Sequence, residues 1–302
     1  MNAVLIIDKP SGFTSHDVVN RVRRILGERS VGHLGTLDPL ATGVLPLVVG
    51  NLTRLAQFYT ESEKSYEGTI RFGFATDTYD AEGEPVGGAK SVQTSLSELQ
   101  QLAERFRGLI EQLPPPFSAK KIHGVPAYKL ARKKKEVKLE PASVEIKEFE
   151  IPSFANDCAE FRARVASGTY MRSLAHDRGA MAGCGAHLAS LRRTAVAEFT
   201  IADAHTLEEV ETGAARGKCD EFFVHPRKLL PAMPSITAND EVAALIRSGR
   251  AVNLPEFSRA KQVKVFYGQS DLIAIATRVA GTLFHPKIVL ASALQVQATG
   301  HS

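Results

Sequence analysis

The chain is organised around Val31-Gly32-His33-Leu34-Gly35-Thr36-Leu37-Asp38-Pro39-Leu40-Ala41-Thr42-Gly43-Val44-Leu45-Pro46, where a polar, glycine-rich loop runs into an apolar segment. Its one carboxylate is Asp38. The glycines permit unusual backbone angles and Pro39 disfavours helix at Asp38, so we expect this acid in a fixed, extended turn. Such a carboxylate can be aimed at a substrate, or it can simply cap the turn. The residues alone favour neither interpretation.

Further motifs accompany this stretch. They are Asp8-Lys9-Pro10-Ser11-Gly12, Lys64-Ser65-Tyr66, Pro115-Pro116-Phe117-Ser118-Ala119-Lys120-Lys121, Gly168-Thr169-Tyr170-Met171-Arg172, Gly185-Ala186-His187-Leu188 and Leu191-Arg192-Arg193. With residues 32–46 they resemble the motifs of the TruB-type tRNA pseudouridine synthases, over roughly residues 1–230. The resemblance implies an isomerase, an intramolecular transferase that converts uridine 55 in the T arm (TΨC loop) of tRNA to pseudouridine by base flipping and without a cofactor.

Size and composition are those of an ordinary globular protein. A chain of 302 residues predicts about two domains. The N-terminal apolar run lacks a basic leader and is too short for a signal peptide or a membrane span, so we expect a cytoplasmic protein without a membrane partner. Cys158, Cys184 and Cys219 are odd in number and lack metal-ligand spacing, which favours reduced thiols and no metal site.

The charge is mildly basic, with a net charge of +4. Positive residues cluster at Arg21, Arg23 and Arg24, at Lys120 and Lys121, at Lys129 with Arg132 to Lys135, and at Arg192 and Arg193. These clusters can be ordinary solvated faces, or they can line one groove for a nucleic acid.

Apolar periodicity predicts strands interleaved with helices. Expected strands cover residues 3–7, 44–49, 66–74, 144–151, 158–165 and 194–201, and expected helices begin near Thr14 and Tyr170 and extend from Leu99 to Ile110. This pattern favours an α/β or α+β domain with a mixed, largely antiparallel sheet. The resemblance implies the α+β form, a central sheet flanked by helices. Residues 77–92 are expected to be loop.

The chain is expected to divide into two domains, with a proline-rich linker at residues 226–234. Residues 1–230 form the expected catalytic domain, and residues 235–302 form a small β-rich domain whose position resembles a PUA-like RNA-binding domain; an accessory domain is the alternative. Residues 112–141 are rich in Lys, Pro and Gly. They can be a plain surface loop, but the resemblance implies an insertion that closes on RNA through Lys120, Lys121 and Arg132.

The resemblance assigns catalytic roles to Asp38, Tyr66 and Arg172. Asp38 would be the nucleophile, acting on either the base or the sugar carbon. A carboxylate covered by a base tends to be protonated, and Arg172 would keep it ionised; a surface ion pair is the alternative for this arginine. Tyr66 would stack on the flipped uracil and place its phenol near the C5 proton, although an ordinary strand aromatic fits its spacing as well.

The remaining expected RNA contacts also follow from the resemblance. Tyr170 and Leu191 would hold the target nucleotide, and His33 would enter the gap that it leaves. Core packing is an alternative for Leu191, and a backbone-bonded loop histidine is one for His33. Lys9 would be a structural or phosphate partner of the site, with an ordinary turn lysine as its alternative.

Two other functions compete with the synthase. An RNA-binding protein, such as a tRNA folding chaperone, would depend on the basic loop and the C-terminal domain. A hydrolase with Asp38 as base would need a second carboxylate or a metal cluster, and the sequence displays neither. The expected partner is the T arm of tRNA, with no obligate protein or guide RNA, and the expected state is a monomer.

Overall fold

The computed structural model describes residues 1–118, 121–122, 125–126 and 139–290. The strands are β1 (Ala3–Lys9), β2 (Val31–His33), β3 (Thr42–Val49), β4 (Lys64–Phe72), β5 (Ala75–Thr76), β6 (Pro85–Val86), β7 (Gly108–Gln112), β8 (Lys121–Ile122), β9 (Val125–Pro126), β10 (Ala142–Ala155), β11 (Cys158–Val165), β12 (Ala186–Val196), β13 (Phe199–Thr200), β14 (Ser235–Ala238), β15 (Val252–Asn253), β16 (Gln262–Tyr267), β17 (Asp271–Ala280) and β18 (Leu283–Val289). The α-helices are α1 (Ser15–Leu26), α2 (Leu96–Glu104), α3 (Met171–Met181), α4 (Leu207–Ala215) and α5 (Asp240–Arg247). Short 3₁₀ helices occupy Gly50–Phe58, Ile201–Asp203, Cys219–Phe222, Pro226–Lys228 and Pro255–Phe257.

A nine-stranded sheet forms the body of the protein. Its strand order is β1-β3-β12-β4-β11-β10-β7, with β2 added to β3 and β13 added to β12. All pairs are antiparallel except β3 with β12. The helices α1 to α4 lie on or beside this sheet, and the apolar face beneath them forms the largest core cluster. The sheet is therefore mixed and largely antiparallel, as the sequence predicts.

The parallel contact between β3 and β12 brings two site motifs together. Gly43 pairs with Arg193 at this contact and has a φ of +99°. A Cβ atom on Gly43 would lie 2.2 Å from the carbonyl oxygen of Arg193. Only glycine allows the loop that contains Asp38 to approach β12 this closely.

A second, five-stranded sheet follows, in the order β14-β16-β17-β18-β15. Its side chains Phe266, Ile275 and Ile288 share a buried cluster with Val4 and Val48 of the first sheet. The amine of Lys264 donates to the carbonyl of Leu229, 2.6 Å away, in the segment that joins the two sheets. The predicted β-rich C-terminal module is confirmed, and the domain boundaries stay predictions.

Three local expectations are wrong. The helix that was predicted to continue to Ile110 ends at Glu104, because Gly108 takes a φ of +88° and the following residues pair with β10 as strand β7. The strand predicted from Thr194 begins at Ala186, and it pairs along β4 from its first residue. The loop predicted at residues 77–92 includes half of the small β5–β6 hairpin.

The other elements agree with prediction. Thr14 caps α1 with a capping box, α3 starts directly after Tyr170, and β10 and β11 form a hairpin. The three cysteines are free. In the described part of the chain, no helix has the length and apolar character needed to cross a membrane.

Candidate active site

A cavity of about 470 Å³ opens where the loop before β3, the start of β4 and the start of α3 meet. Its lining includes six of the predicted site residues, namely His33, Asp38, Tyr66, Tyr170, Arg172 and Leu191. They come from four motifs that are distant in sequence, and the fold brings these motifs together. The geometry therefore places these six residues at one candidate centre, and among its described lining residues the acidic one is Asp38.

Asp38 and Arg172 form an ion pair in this cavity. The Nε atom of Arg172 lies 3.0 Å from Oδ2 of Asp38. The two Nη atoms of the arginine donate to the carbonyl oxygens of Thr78 and Phe117, at 3.1 and 2.8 Å. The guanidinium is thus fixed by backbone oxygens, and its remaining edge holds the carboxylate in one orientation.

A second carboxylate, Asp80, contacts the same arginine. Its Oδ2 lies 3.5 Å from Nη1 of Arg172, and its side chain is 5% exposed. Its Oδ1 accepts from the Thr78 hydroxyl at 2.6 Å and from the Glu82 amide at 3.1 Å. Asp38 and a second carboxylate that the sequence did not display thus contact the same arginine. Because Asp80 is buried and does not line the cavity, it does not supply the second acid that a hydrolase would present to substrate.

Asp80 is the functional candidate that the sequence analysis missed. It lies within residues 77–92, where nothing in the local pattern distinguishes it from neighbouring Asp77. A further acid, Glu82, follows, and burial together with the charges of Asp80 and Asp38 raises the pKa of its carboxyl. This acidic group beside Arg172 becomes visible only when the chain is folded.

Arg193 shapes the turn that precedes Asp38. Its side chain is fully buried, and it donates to the carbonyl oxygens of Val44, Thr36 and Gly35 at 2.8, 3.1 and 3.0 Å. Burial lowers the pKa of this guanidinium, and a hydrogen bond with Tyr66 opposes that effect. Arg193, which the sequence analysis placed in a basic cluster, is therefore a buried residue whose hydrogen bonds connect β12 to the Asp38 loop.

Lys9 lies beneath the site rather than on its surface. Its side chain is buried, and its amine donates to the carbonyl oxygens of Pro10, Phe13 and Pro39, at 2.9, 2.6 and 3.2 Å. Desolvation lowers its pKa to about 8, and Asp38 opposes that shift. All three donors of the ammonium are used on carbonyls. This geometry favours the structural role expected for Lys9 over a phosphate contact.

The two tyrosines that line the cavity belong to different elements of the fold. Tyr66 is 8% exposed and lies on β4. Tyr170 precedes α3, and the side-chain amide of Gln112 bonds both its N–H, at 2.8 Å, and its carbonyl oxygen, at 3.0 Å. Burial raises the pKa of the Tyr170 phenol, so this phenol is neutral at physiological pH. Both rings line the cavity, in positions from which they can contact a bound ring.

His33 and Leu191 complete the predicted set. Burial and the nearby Arg193 lower the pKa of His33, so its imidazole is neutral near pH 7. Leu191 is 8% exposed, which leaves a small apolar surface toward the cavity. Lys120, the side chain of Lys121, and Arg132 lie outside the described residues. Among the residues that are described, no group of three or more His, Cys, Asp or Glu could hold a metal ion.

The fold is shared with solved structures of other proteins. One is the structure of a Cbf5-Nop10-Gar1 complex, with a TM-score of 0.68 and 24% identity over 93% of this chain and 79% of that chain. Another is an H/ACA RNP bound to a substrate RNA containing 2′-deoxyuridine, with a TM-score of 0.71 and 22% identity over 96% and 85% of the two chains. These likenesses show a shared fold, and they confirm the predicted α+β architecture.

The sequence itself defines the class and the family, which are those of a pseudouridylate synthase. Residues 23–171 match the N-terminal domain of the TruB family of pseudouridylate synthases, and residues 172–232 match the tRNA pseudouridylate synthase B C-terminal domain. A tRNA pseudouridine synthase B from Solibacter usitatus is 49% identical over 96% of this chain and 100% of its own length. The one from Aquifex aeolicus is 38% identical over 96% and 100%. The chain belongs to the TruB family of pseudouridylate synthases, and it is an isomerase.

Proposed function

We propose that this enzyme converts uridine 55 in the T arm of tRNA to pseudouridine, with Asp38 as the nucleophile. The observation that carries the proposal is the ion pair of Asp38 with Arg172 in a cavity that Tyr66 also lines. The names of the relatives, tRNA pseudouridine synthase B, support tRNA as the substrate. The PUA-like assignment of residues 235–302 and the boundary near residue 230 belong to the same proposal.

The reaction is an isomerisation, so every bond broken is replaced within the nucleotide. One oxygen of Asp38 forms a bond to a carbon of the base or to C1′ of the ribose, and these two routes stay open. The bond between N1 and C1′ breaks, the uracil turns, and a new bond joins C5 to C1′. The proton lost from C5 is balanced by one gained at N1. Asp38 leaves as a carboxylate, and no cofactor is consumed.

Base flipping brings the target to the carboxylate. Unstacking a base costs a few kcal/mol, and stacking on an aromatic side chain offsets part of that cost. Tyr66 supplies this ring, while Tyr170 and Leu191, which line the same cavity, enclose the nucleotide. His33, neutral near pH 7, can enter the vacated position without placing a second cation beside Arg172. Tyr66 is also the candidate to accept or relay the C5 proton.

Arg172 acts on the nucleophile by charge and by position. A base over the cavity excludes water from Asp38, which favours the protonated acid, and the adjacent guanidinium favours the ionised form. Because Thr78 and Phe117 hold the two Nη atoms, little reorganisation is needed as charge moves between Asp38 and the nucleotide. We infer that the enzyme works as a monomer without a guide RNA or an obligate protein partner.

The test is tritium release from tRNA labelled at uracil C5, with the modified position mapped by sequencing. Wild type and Asp38→Asn are compared, and Asp220→Asn serves as a matched control because Asp220 is exposed and does not line the cavity. We expect release at position 55 from wild type and control only, with tRNA affinity retained by all three. Binding without release by wild type would instead favour an RNA-binding protein such as a tRNA chaperone.

A further inference from the structure

Lys64 is a charged residue of the cavity that has no role in the proposed reaction. It begins strand β4, two positions before Tyr66. Alternate residues of a strand project to the same face, about 7 Å apart. Lys64 and Tyr66 accordingly both line the cavity. Lys64 is therefore the neighbour of Tyr66 on the same face of β4, and its cation lies close to the ring proposed to stack on the flipped base.

The ammonium of Lys64 has unused hydrogen-bonding capacity. Within the described residues its Nζ atom donates to the carbonyl oxygen of Ser62, at 2.7 Å. A lysine ammonium has three donors, so two remain for a ligand. Lys9 is the contrast, because three carbonyl oxygens occupy its donors. The difference separates a lysine that supports the fold from one that faces a binding site.

The charge of Lys64 is also uncompensated. In the described part of the chain, no carboxylate forms an ion pair with it, and the neighbouring charge that acts on it is the Arg193 cation. The adjacent acid, Glu63, is engaged by Lys147 and Arg164. Desolvation and Arg193 lower the pKa of Lys64 to about 8, which leaves the amine mostly protonated near pH 7. A partly buried cation with a cationic neighbour is stabilised when an anion enters.

We propose that Lys64 binds an RNA backbone phosphate, the one that flanks the nucleotide stacked on Tyr66. This inference rests on the proposed function, because it requires RNA in the cavity. Stacking on Tyr66 then positions the base, and the contact with Lys64 positions the phosphate of the same nucleotide. With both held, the glycosidic bond has one orientation relative to Asp38. Phosphate contacts of this kind position a nucleic acid without reading its sequence.

The first test is the salt dependence of tRNA binding. Lys64→Met retains the length of the side chain and removes its charge, and Lys64→Arg retains the charge. We expect Lys64→Met to bind roughly tenfold more weakly at low salt. The slope of log affinity against log salt should become shallower by about 0.7 to 0.9, the loss of one phosphate contact. Lys64→Arg should recover most of both quantities.

The matched control is Lys90→Met, since Lys90 likewise donates to one carbonyl oxygen, that of Gly183, but is exposed and outside the cavity. Its affinity and its slope should equal those of wild type. Thermal unfolding of each variant tests the structural alternative, because the stem of Lys64 packs beside Gly35. A lower melting temperature in Lys64→Met with an unchanged salt slope would overturn the proposal.

The second test locates the phosphate. T-arm stem-loops are made with single neutral methylphosphonate linkages on either side of the target uridine. For one linkage, we expect the replacement to weaken wild type roughly tenfold and to leave Lys64→Met unaffected, since the contact is already absent. Equal losses in both proteins at every linkage would refute the assignment. These measurements report binding alone, so they succeed or fail independently of whether wild type releases tritium from tRNA.

Discussion

The Nε atom of Arg172 lies 3.0 Å from Oδ2 of Asp38, and the two partners differ sharply in exposure. The arginine side chain is 6% exposed, and the aspartate side chain is 43% exposed. The cation is therefore part of the wall, whereas the carboxylate faces the cavity. An anion held by a buried cation, itself fixed by two backbone oxygens, keeps its orientation while its free oxygen meets a substrate.

Replacing Arg172 with lysine should preserve the charge and lose the geometry. The planar guanidinium contacts Asp38, Thr78 and Phe117 at the same time, whereas the single ammonium of lysine is too small to contact all three. We expect single-turnover tritium release to fall on the order of 100-fold, with tRNA affinity within about threefold of wild type. Arg71→Lys, an exposed position on β4, is the control. A near-normal rate for the Arg172→Lys enzyme would show that charge alone suffices.

Asp80→Asn tests the second carboxylate. The amide retains an oxygen for the Thr78 hydroxyl, but it directs an NH₂ group or a neutral oxygen at the guanidinium. We expect a loss of rate of roughly 10- to 100-fold, equivalent to about 1.5–3 kcal/mol for a charge-assisted contact. Asp77→Asn is matched, because Asp77 is exposed and bonds the Glu84 amide instead. Equal rates for the two variants would contradict the role of Asp80.

Gly43→Ala should destabilise the whole catalytic sheet. The added methyl group would lie 2.2 Å from the Arg193 carbonyl oxygen, at a backbone angle that alanine disfavours. We expect the free energy of unfolding in urea to fall by about 3 kcal/mol or more. Gly32→Ala is the control, since its new Cβ would meet Val48 at an ordinary 3.8 Å. Comparable losses for both would mean that the close approach of β3 and β12 is not the cause.

Local pattern was sufficient for much of the fold. The capping residues of α1 and the alternation along β10 and β11 depend on neighbours in sequence, so they could be predicted. The same local pattern predicts that a helix begins near Tyr170, whereas the role expected for Arg172 follows from the resemblance of its Gly-Thr-Tyr motif. Where the apolar periodicity of a segment matches its final secondary structure, the sequence predicts the element, and only its packing partner has to come from the structure.

The remaining features depend on distant residues. Leu109 fits the helical pattern of α2, yet it lies in β7 and is 78% exposed, because pairing with β10 fixes its conformation. Asp80 is a functional candidate only because it contacts Arg172, which lies on a distant segment of the chain. Lys9 and Lys64 each lie at the end of a strand, so their sequence contexts are alike. Their roles differ because of the number of carbonyl groups that each ammonium contacts in the folded chain. Such distinctions need coordinates.

Tyr79 is a strained residue at the turn that contacts Arg172. Its φ is +67°, and its ring stacks on His176 with centroids 3.8 Å apart. Phenylalanine keeps the stack, glycine removes the strain and the stack together, and alanine keeps the strain alone. We expect stability in thermal melts to decrease in the order Phe, Gly, Ala, with alanine about 1–2 kcal/mol below wild type. An alanine variant as stable as glycine would show that strain is unimportant here.

RNA affinity should weaken as the pH rises through about 8. Burial places the pKa of Lys64 at about 8, so its ammonium is mostly charged at pH 7 and mostly neutral at pH 9. Among the groups around the cavity, burial keeps His33 neutral across this range and raises the pKa of Tyr59 and Tyr170 above it. Arg193 keeps its charge, as arginine does in proteins.

Lys9 titrates in the same range, so the comparison with Lys64→Met isolates the cavity lysine. For wild type, we expect the dissociation constant of tRNA to rise several-fold between pH 7 and pH 9, at constant ionic strength. The Lys64→Met enzyme lacks the titrating charge, so its dissociation constant should change less across the same range. Parallel pH profiles for the two proteins would assign the effect to another group and remove the phosphate contact from Lys64.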